Sequence, residues 1–334
     1  MKNTDKRDAS TRRDVVAGLG LAAAFASIPA SLTAATLRGP SPQRRGILVP
    51  KNAIDCHVHV FDPARFPYAA SRSYTPGVAT LDQLTAFEKT MGVDRVVLVQ
   101  PSPYGSDNSA LLDALRRLGK KRARGVAVIN PQTVTDSELR ALTDAGVVAV
   151  RVNLTVQGID KATAASRQIS AALARVAGAG LAIQVYGEVA LVENIVPLMR
   201  DATVPVILDH FAGAEAALGT EQQGFATLLR AMERGNVWVK MSAPYRASEL
   251  APNYPDLAPL AKAMIAAAPE RVVWASDWPH TGGGAERQGR KASDVEPFRT
   301  IDDAHNLQLI REWAGSDAIF RRILVDNPAK LFRF

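Results

Sequence analysis

Ile54-Asp55-Cys56-His57-Val58-His59-Val60 is an apolar run that carries two histidines two positions apart. In a β-strand this spacing places both imidazoles on the same face. Two adjacent imidazoles can bind a divalent metal or polarise a carbonyl oxygen. The same alternation predicts that Cys56 faces away from both histidines. Cys56 is the only cysteine of the chain and cannot form an internal disulfide, so we expect it to pack in the core.

Seven further apolar runs follow along the chain, and helix-like segments separate most of them. With the first, the runs cover residues 53–61, 95–100, 125–130, 147–154, 181–186, 205–210, 237–242 and 271–276. They are nearly continuous in Val, Ile, Leu and Ala, which is typical of parallel strands buried on both faces. Segments of 3.6-residue periodicity predict helices over 80–91, 108–118, 136–145, 161–177, 188–200, 225–233 and 256–268.

This alternation predicts an α/β fold, namely a (β/α)8 TIM-type barrel with extra C-terminal helices over 301–313 and 317–324. Residues 281–299 are Gly-rich and charged and are predicted to form a long loop, and Asp326-Asn327-Pro328 is predicted to form a turn. An open doubly wound sheet is the alternative. It is disfavoured because no Gly-x-Gly-x-x-Gly follows the first run.

The N-terminus has the pattern of a twin-arginine export signal. Arg12-Arg13 precedes an apolar run over 15–28, and small residues follow it. We predict a signal over 1–35, a linker over 36–52 and a barrel domain over 53–334. The export machinery would deliver the chain to the periplasm, with no stable membrane insertion after cleavage, since the run is short for a membrane span. An uncleaved N-terminal anchor is the alternative.

Composition limits the possible partners. The chain of 334 residues is 47% hydrophobic, enough for a large core, and its formal net charge is +7. This charge is modest, and no Lys/Arg stripe with interleaved aromatic residues appears. We therefore expect no nucleic-acid binding and a slight attraction for anionic small molecules.

Polar side chains cluster where the predicted strands end, which is where the active site of such a barrel lies. The strand ends supply His57 and His59, Gln100, Arg151, Tyr186, Asp209-His210, Lys240-Met241-Ser242, and Asp277 with His280. Strand alternation allows only one of Asp209 and His210 inside the barrel, and we expect it to be His210. His280 is either a partner behind the site or a loop residue, and His305 is expected on the surface.

These residues are accompanied by motifs that resemble the amidohydrolase superfamily, in its family 2 branch, and most of all 2-pyrone-4,6-dicarboxylate lactonases and sulfomuconolactone hydrolases. The motifs, which span nearly all of 53–334, are Asp55-Cys56-His57-Val58-His59-Val60-Phe61, Phe66-Pro67-Tyr68, Tyr74-Thr75-Pro76, Gly105-Ser106-Asp107-Asn108, Arg124-Gly125-Val126-Ala127-Val128, Arg151-Val152-Asn153, Leu208-Asp209-His210, Ser276-Asp277-Trp278-Pro279-His280 and Val325-Asp326-Asn327-Pro328-Ala329-Lys330-Leu331.

The resemblance implies a role for each matching residue. Asp277 would take a proton from the attacking water as a general base. His57, His59 and His210 would gather around the lactone carbonyl oxygen. The substrate pocket and its anion-binding groups would be formed by Tyr74, Arg151, Tyr186 and Arg246.

Two departures from the family pattern concern the substrate. The sequence after strand six is His210-Phe211-Ala212-Gly213, whereas the pattern of the lactonases that the chain resembles has His-x-Gly-Arg at this place. Gln157 stands about where that pattern has a further arginine. A guanidinium is the natural bidentate partner of a carboxylate. The substrate is therefore expected to carry fewer or differently placed anionic groups than the pyrone dicarboxylate, as a carboxylated and sulfonated muconolactone does.

The metal content has two alternatives. Strand four ends without a lysine and strand five without a histidine, so the bridging ligands of a binuclear site are missing. His57, His59, His210 and Asp277 could hold one Zn²⁺ with an open water position. Metal-free catalysis, in which the imidazoles polarise the carbonyl, is equally consistent with the residues.

The sequence thus predicts a periplasmic hydrolase that opens a small anionic lactone. Sugar-acid lactone isomerases and metal-dependent decarboxylases share the scaffold, so fold alone does not separate these reactions. A solute-binding or catalytically inactive barrel is a third hypothesis, and the complete His/His/His/Asp set argues against it.

Overall fold

A computed structural model describes residues 48–334, so the export-signal prediction and most of the predicted linker lie outside the described residues. Ten strands are present: β1 (Ile54–Val58), β2 (Thr75–Pro76), β3 (Arg95–Val99), β4 (Ala123–Ala127), β5 (Val147–Asn153), β6 (Ala182–Tyr186), β7 (Val206–Leu208), β8 (Val237–Ser242), β9 (Val272–Ala275) and β10 (Val295–Glu296). All but β2 and β10 form one parallel eight-stranded sheet in the order β1-β3-β4-β5-β6-β7-β8-β9.

The sheet closes on itself between its first and last strands. The backbone N–H of Asp277, just after β9, donates to the His57 carbonyl at 3.0 Å. The N–H of His59, just after β1, donates to the Trp278 carbonyl at 2.9 Å. These bonds confirm the predicted (β/α)8 barrel and exclude the open sheet.

Helices follow the strands as predicted: α1 (Leu81–Met91), α2 (Ser109–Leu118), α3 (Asp136–Ala145), α4 (Ala162–Val176), α5 (Val192–Asp201), α6 (Phe225–Glu233), α7 (Pro244–Ala247), α8 (Ala258–Ala267), α9 (Asp303–Ala314), α10 (Asp317–Arg321) and α11 (Asn327–Phe332). Capping boxes at Thr80 and Thr135 begin α1 and α3. The turn predicted at 326–328 is wrong, because a π-helical segment over Arg322–Asp326 continues directly into α11. Within residues 48–334, no helix combines the length and apolar character that a membrane crossing requires.

Buried apolar residues form two main clusters, one on each side of the barrel wall. The outer cluster joins the strands to the surrounding helices, for example through Leu98, Leu111 and Leu228. The inner cluster contains strand residues such as Ile54, Val97, Val126, Ile207 and Val273, together with Leu331 and Phe332 of α11. Apolar side chains thus fill one end of the barrel interior and leave the carboxyl ends of the strands to polar groups.

Strand β1 does not keep a simple alternation. Its pairing with β3 shifts register between Asp55 and Val58, as at a β-bulge. Cys56 consequently packs in the inner cluster, while His57, the next residue, also reaches the interior, where it contacts Asp209 and Lys240. The predicted packing role of Cys56 is confirmed, but the prediction that it faces away from the histidines is wrong.

The segment predicted as a long loop over 281–299 is partly ordered by a small parallel sheet. Strand β10 within it pairs with β2, with Val295 opposite Thr75 and Glu296 opposite Pro76. The Thr75 hydroxyl also donates to the Ala292 carbonyl at 2.6 Å. The loop after the last barrel strand is therefore fixed to the loop after the first.

Candidate active site

Three imidazoles and one carboxylate meet at the carboxyl end of the barrel. Asp277 Oδ1 lies 3.7 Å from His57 Nε2, 3.9 Å from His59 Nε2 and 3.8 Å from His210 Nε2. His57 Nε2 and His59 Nε2 are 3.2 Å apart. All four side chains are almost completely buried. The structure therefore brings together the four residues that the sequence predicted for the catalytic centre.

Left-handed backbone at two strand ends turns side chains into this cluster. Strand β7 ends at Leu208, and His210 adopts φ 50°, while Asp277 after β9 adopts φ 67°. Such conformations are strained for residues other than glycine and concentrate at functional sites. Because alternation stops before His210, both Asp209 and His210 face inward. The prediction that Asp209 lies outside is therefore wrong.

Asp209 belongs to a buried polar group beneath His57. Its Oδ1 lies 3.3 Å from both His57 Nδ1 and Lys240 Nζ, and its Oδ2 accepts from Gln184 Nε2 at 2.9 Å. Lys240 Nζ in turn donates to Gln184 Oε1 at 2.7 Å and lies 3.3 Å from His57 Nδ1. Burial opposes the charge on Asp209, but Lys240 and His57 hold the pKa of the carboxyl well below its ordinary value.

The imidazoles are neutral and two are oriented by hydrogen bonds on their far nitrogens. His59 Nδ1 lies 2.8 Å from the Val99 carbonyl, which can only accept, so the proton is on Nδ1 and Nε2 carries a lone pair. His210 Nδ1 pairs with the Ser242 hydroxyl at 2.8 Å, which can donate or accept. Burial lowers the pKa of His59 and of His210 to about 4 in each case, with Asp277 acting in the opposite direction.

Asp277 is held from its other oxygen by residues of α7. Asp277 Oδ2 accepts from the Tyr245 hydroxyl at 2.8 Å and from Arg246 at 2.9 Å through Nη2 and 3.1 Å through Nε. Burial raises the pKa of Asp277, but Arg246 and the three imidazoles outweigh it and leave the pKa well below the ordinary value. Asp277 is therefore ionised, and its Oδ1 is turned to the imidazoles.

A cavity of about 720 Å³ opens above this cluster. Its walls include every residue predicted for the substrate pocket: Tyr74, Arg151, Tyr186 and Arg246. The structure adds Tyr245, Arg287 and Arg299, which the sequence reading missed. Arg246 is positioned by α7, a short helix without a periodic signal, and the other two arginines lie in the loop fixed by β10.

Arg151 leaves a positive charge unbalanced next to the cavity. Its Nη2 lies 3.4 Å from Asp209 Oδ2, and its buried Nε has no hydrogen-bond partner among the described residues. Asp209 is already paired with Lys240, so two cations share one buried carboxylate. This arrangement favours an anionic group in the cavity, because an unpaired buried charge is costly.

The remaining strand-end residues lie behind the site. Gln100 Nε2 donates to the Asp107 carbonyl at 2.6 Å and so fixes a loop. His280 Nε2 lies 2.9 Å from Asp303 Oδ2 of α9, and His280 Nδ1 is 3.5 Å from the Tyr245 hydroxyl. His280 is thus a partner behind the site. His305 is half-buried, with its Nε2 3.0 Å from Asn253 Oδ1.

Comparison with known proteins identifies the family. A family model described as Amidohydrolase matches residues 54–334. The chain belongs to the amidohydrolase family. This amidohydrolase is 35% identical to 4-sulfomuconolactone hydrolase of Rhizobium radiobacter, an alignment that covers 85% of the chain and 91% of the relative. It is 32% identical to 2-pyrone-4,6-dicarboxylate hydrolase of Comamonas testosteroni, in an alignment that covers 87% of the chain and 93% of the relative.

Two further comparisons give lower sequence identity. D-galactarolactone isomerase of Agrobacterium fabrum is 26% identical to this amidohydrolase, with 85% of the chain and 92% of the relative covered. The crystal structure of an Agrobacterium tumefaciens protein in its apo form superposes with a TM-score of 0.72 at 26% identity, over 85% of this chain and 97% of that one. The family resemblance inferred from the motifs is confirmed.

The donor set of this amidohydrolase fits a divalent metal ion. His57, His210 and Asp277 each offer one ligand atom, and these atoms lie within 4.8 Å of one another. Edges of about 3.4 Å are expected for tetrahedral ligands at about 2.1 Å from Zn²⁺, and Asp277 Oδ1 lies 3.7 Å from His57 Nε2 and 3.8 Å from His210 Nε2. His59, which was predicted as a fourth ligand, is not part of this group, although its Nε2 lies 3.2 Å from His57 Nε2 and 3.9 Å from Asp277 Oδ1. The imidazoles are neutral and the carboxylate is ionised, as ligands must be.

Proposed function

We propose that this amidohydrolase opens an acidic lactone by water attack, with Asp277 as the general base. The observation that carries the proposal is the 3.7–3.9 Å separation between Asp277 Oδ1 and the three Nε2 atoms. Two hydrogen bonds of about 2.8 Å easily span such a gap, so one water can contact the carboxylate and an imidazole together. The names of the two hydrolases described above, both of which act on lactones, support the same reaction.

In the proposed reaction the water oxygen attacks the lactone carbonyl carbon while its proton passes to Asp277 Oδ1. The carbonyl oxygen becomes an oxyanion. The ring C–O bond then breaks, and the departing ring oxygen receives the proton held by Asp277. The product is a ring-opened carboxylic acid, and its ionisation releases one proton to the solvent for each turnover at neutral pH.

The three imidazoles take two different roles. His59, protonated on Nδ1, offers only a lone pair at Nε2 and is suited to orient the attacking water. His57 donates from Nε2 when Lys240 donates to its Nδ1, and His210 donates from Nε2 when Ser242 donates to its Nδ1. In these tautomers His57 and His210 stabilise the oxyanion in a water-poor site, where such donors are most effective.

Arg246 links substrate binding to the basicity of Asp277. Its two bonds to Asp277 Oδ2 help to keep the pKa of that carboxyl low, which makes it a weak base in the free enzyme. Arg246 also lines the cavity, so an anionic substrate group competes with Asp277 for the guanidinium. We expect bound substrate to raise the pKa of Asp277 and so to activate it when the lactone is in place.

Zn²⁺ or another divalent ion held by His57, His210 and Asp277 would polarise the carbonyl and lower the pKa of a bound water. His57 would bind such an ion in its other tautomer, with the Nδ1 proton directed to Asp209 and the Nε2 lone pair to the site. The buried pair of Asp209 and Lys240 accommodates both tautomers, since each partner lies 3.3 Å from His57 Nδ1.

A lactone panel tests the proposal. Purified protein is incubated with muconolactones, a pyrone dicarboxylate and aldonolactones, with and without a chelator, after its metal content has been measured. Hydrolysis releases one proton per turnover and incorporates one ¹⁸O atom from labelled water. Isomerisation of the lactone incorporates none, and decarboxylation releases CO₂. Tight binding without any product would show a binding protein and overturn the proposal.

We further propose that the chain is exported to the periplasm by the twin-arginine machinery, on the basis of Arg12-Arg13 and the apolar run that follows. Replacing both arginines by lysine in a reporter fusion should retain it in the cytoplasm, whereas the unchanged signal should deliver it to the periplasm.

A further inference from the structure

A guanidinium from the loop after β9 lies on the ring of a pocket residue. The Cζ atom of Arg287 is 3.6 Å from the centroid of the Tyr74 ring, and both side chains line the catalytic cavity. Tyr74 is buried, which raises the pKa of its hydroxyl, while the positive charges of Arg287, Arg151 and Arg246 act against that increase. Tyr74 thus shares the wall of the cavity with three arginines, and Arg287 is the one that lies on its ring.

Arg287 is held in place from one side. Its Nε donates to Glu296 Oε1 at 2.9 Å and to Oε2 at 3.1 Å, and its Nη2 donates to the Gly282 carbonyl at 2.8 Å. Glu296 lies in β10, whose partner strand β2 follows Tyr74 directly. The small parallel sheet thus fixes both the ring and the carboxylate that position the guanidinium.

The other side of Arg287 is available. Among residues 48–334, no hydrogen-bond acceptor is paired with its Nη1, which therefore has two free N–H groups at a cavity wall. A guanidinium that is already oriented by a carboxylate and an aromatic ring loses little entropy when it binds an anion. It is suited to a planar or tetrahedral oxyanion, such as a carboxylate or sulfonate.

At two positions the pattern of the lactonases that the chain resembles has an arginine, and neither position supplies such a group here. Gln157 is exposed and accepts a hydrogen bond from Gln168 of α4 at 2.7 Å. Gly213, at the other position, has no side chain, and its backbone lies so close to the Gly187 carbonyl that a Cβ there would clash with it. Neither residue lines the cavity. Arg246 also lines the cavity, but its Nε and Nη2 already donate to Asp277 and Thr281. A substrate with two acidic groups therefore calls for a further cation that is not bound to a catalytic carboxylate.

We infer that Arg287 on Tyr74 is this second anion-binding group, and that the substrate is a lactone with two anionic groups, one bound by Arg151 and the other by Arg287. The inference rests on the proposed lactone hydrolysis. On this view the loop after β9 determines which substrates bind, whereas the residues that carry out the hydrolysis lie at the strand ends.

The test compares a lactone with one carboxylate, muconolactone, with a doubly anionic one, 4-sulfomuconolactone. Arg287→Gln should raise KM for the doubly anionic lactone about 10- to 100-fold, as expected for lost charge-assisted hydrogen bonds, with kcat little changed. KM for the singly anionic lactone should change by less than about twofold, because this lactone has no second anionic group to bind Arg287. A twofold change is smaller than the effect of losing one charge-assisted hydrogen bond. Arg287→Lys should have an intermediate effect, because it keeps the charge but not the planar fork.

Arg290→Gln is the matched control, since Arg290 lies in the same loop with an exposed side chain and makes the same change of charge. It should leave KM for both lactones unchanged. The inference is overturned if Arg287→Gln affects both lactones equally, which would indicate loss of loop structure, if it affects neither, or if the native enzyme prefers the singly anionic lactone. Absence of hydrolysis of any lactone by the native enzyme would instead refute the proposed function.

Discussion

Replacing Asp277 by asparagine separates its chemical role from its structural one. Asparagine has the same shape, and its carbonyl oxygen can occupy the place of Oδ2 and accept from Tyr245 and Arg246. Its amide then takes the place of Oδ1, 3.7–3.9 Å from the three imidazole Nε2 atoms. The side chain can no longer take a proton from water.

We therefore expect kcat to fall by about 10²–10⁴, the range for loss of a general base, which corresponds to about 3–5 kcal/mol of barrier. KM should change little. Loss of the ion pair with Arg246 should cost about 1–3 kcal/mol of stability, because Arg246 keeps its bonds to Thr281. Activity is measured by proton release at a temperature well below the unfolding midpoint of both proteins.

Asp303→Asn is the matched control for this experiment. Asp303 is also a buried aspartate, but it contacts His280 at 2.9 Å and lies one layer farther from the reacting atoms. We expect its kcat to fall less than tenfold, well below the loss of a proton-transfer group. If Asp277→Asn retains activity within tenfold of the native enzyme on a lactone that the enzyme hydrolyses, Asp277 is not the general base.

Three further predictions concern the groups around the site. The acid limb of kcat/KM should fall as pH drops through about 4, because His59 and His210 work as neutral imidazoles with a pKa of about 4, and a plateau that ends near pH 6.5 would contradict this. Lys240→Met should lower the free energy of unfolding by about 1–3 kcal/mol in urea titrations, since it removes one of the two cations next to the buried Asp209 carboxylate and leaves Arg151 as the other, and adding Asp209→Asn should restore part of the loss. Burial raises the pKa of Asp55 from 3.8 to about 7, so between these pH values the folded state binds more protons than the unfolded state. The stability that the protonated Asp55 contributes is complete below pH 3.8 and is lost as pH rises through 7. Asp55→Asn should therefore stabilise the protein relative to the native chain at pH 8 but not at pH 4, and equal effects at both values would refute the assignment.

The barrel could be predicted from the sequence because its strands are continuous apolar runs separated by periodic helices. The catalytic centre could be predicted because His57, His59 and Asp277 follow such runs directly, and the carboxyl ends of all strands meet at one face. His210 lies in the interior as predicted, but strand alternation does not explain its position. Alternation would send it outward, and the left-handed conformation that turns it inward depends on tertiary contacts rather than on a local pattern.

The buried pairing of Lys240 has a signal in the sequence. A lysine within Val237-Trp238-Val239-Lys240-Met241, a strand buried on both faces, must be paired inside the barrel. Its partner Asp209 could have been sought at the end of the neighbouring strand. Arg287, in contrast, lies in an aperiodic loop whose position depends on a two-residue pairing between β2 and β10, and no sequence pattern indicates that contact.

The hydrogen bonds that join β1 to the end of β9 have a consequence for how activity is acquired. The residues that donate and accept across this joint include His57, His59 and Asp277. These two imidazoles and the carboxylate are far apart in the sequence, and they meet only when the last strand docks. A polypeptide still emerging from the ribosome, or one missing its final third, has no reactive centre. Turnover can therefore serve as a direct measure of complete maturation.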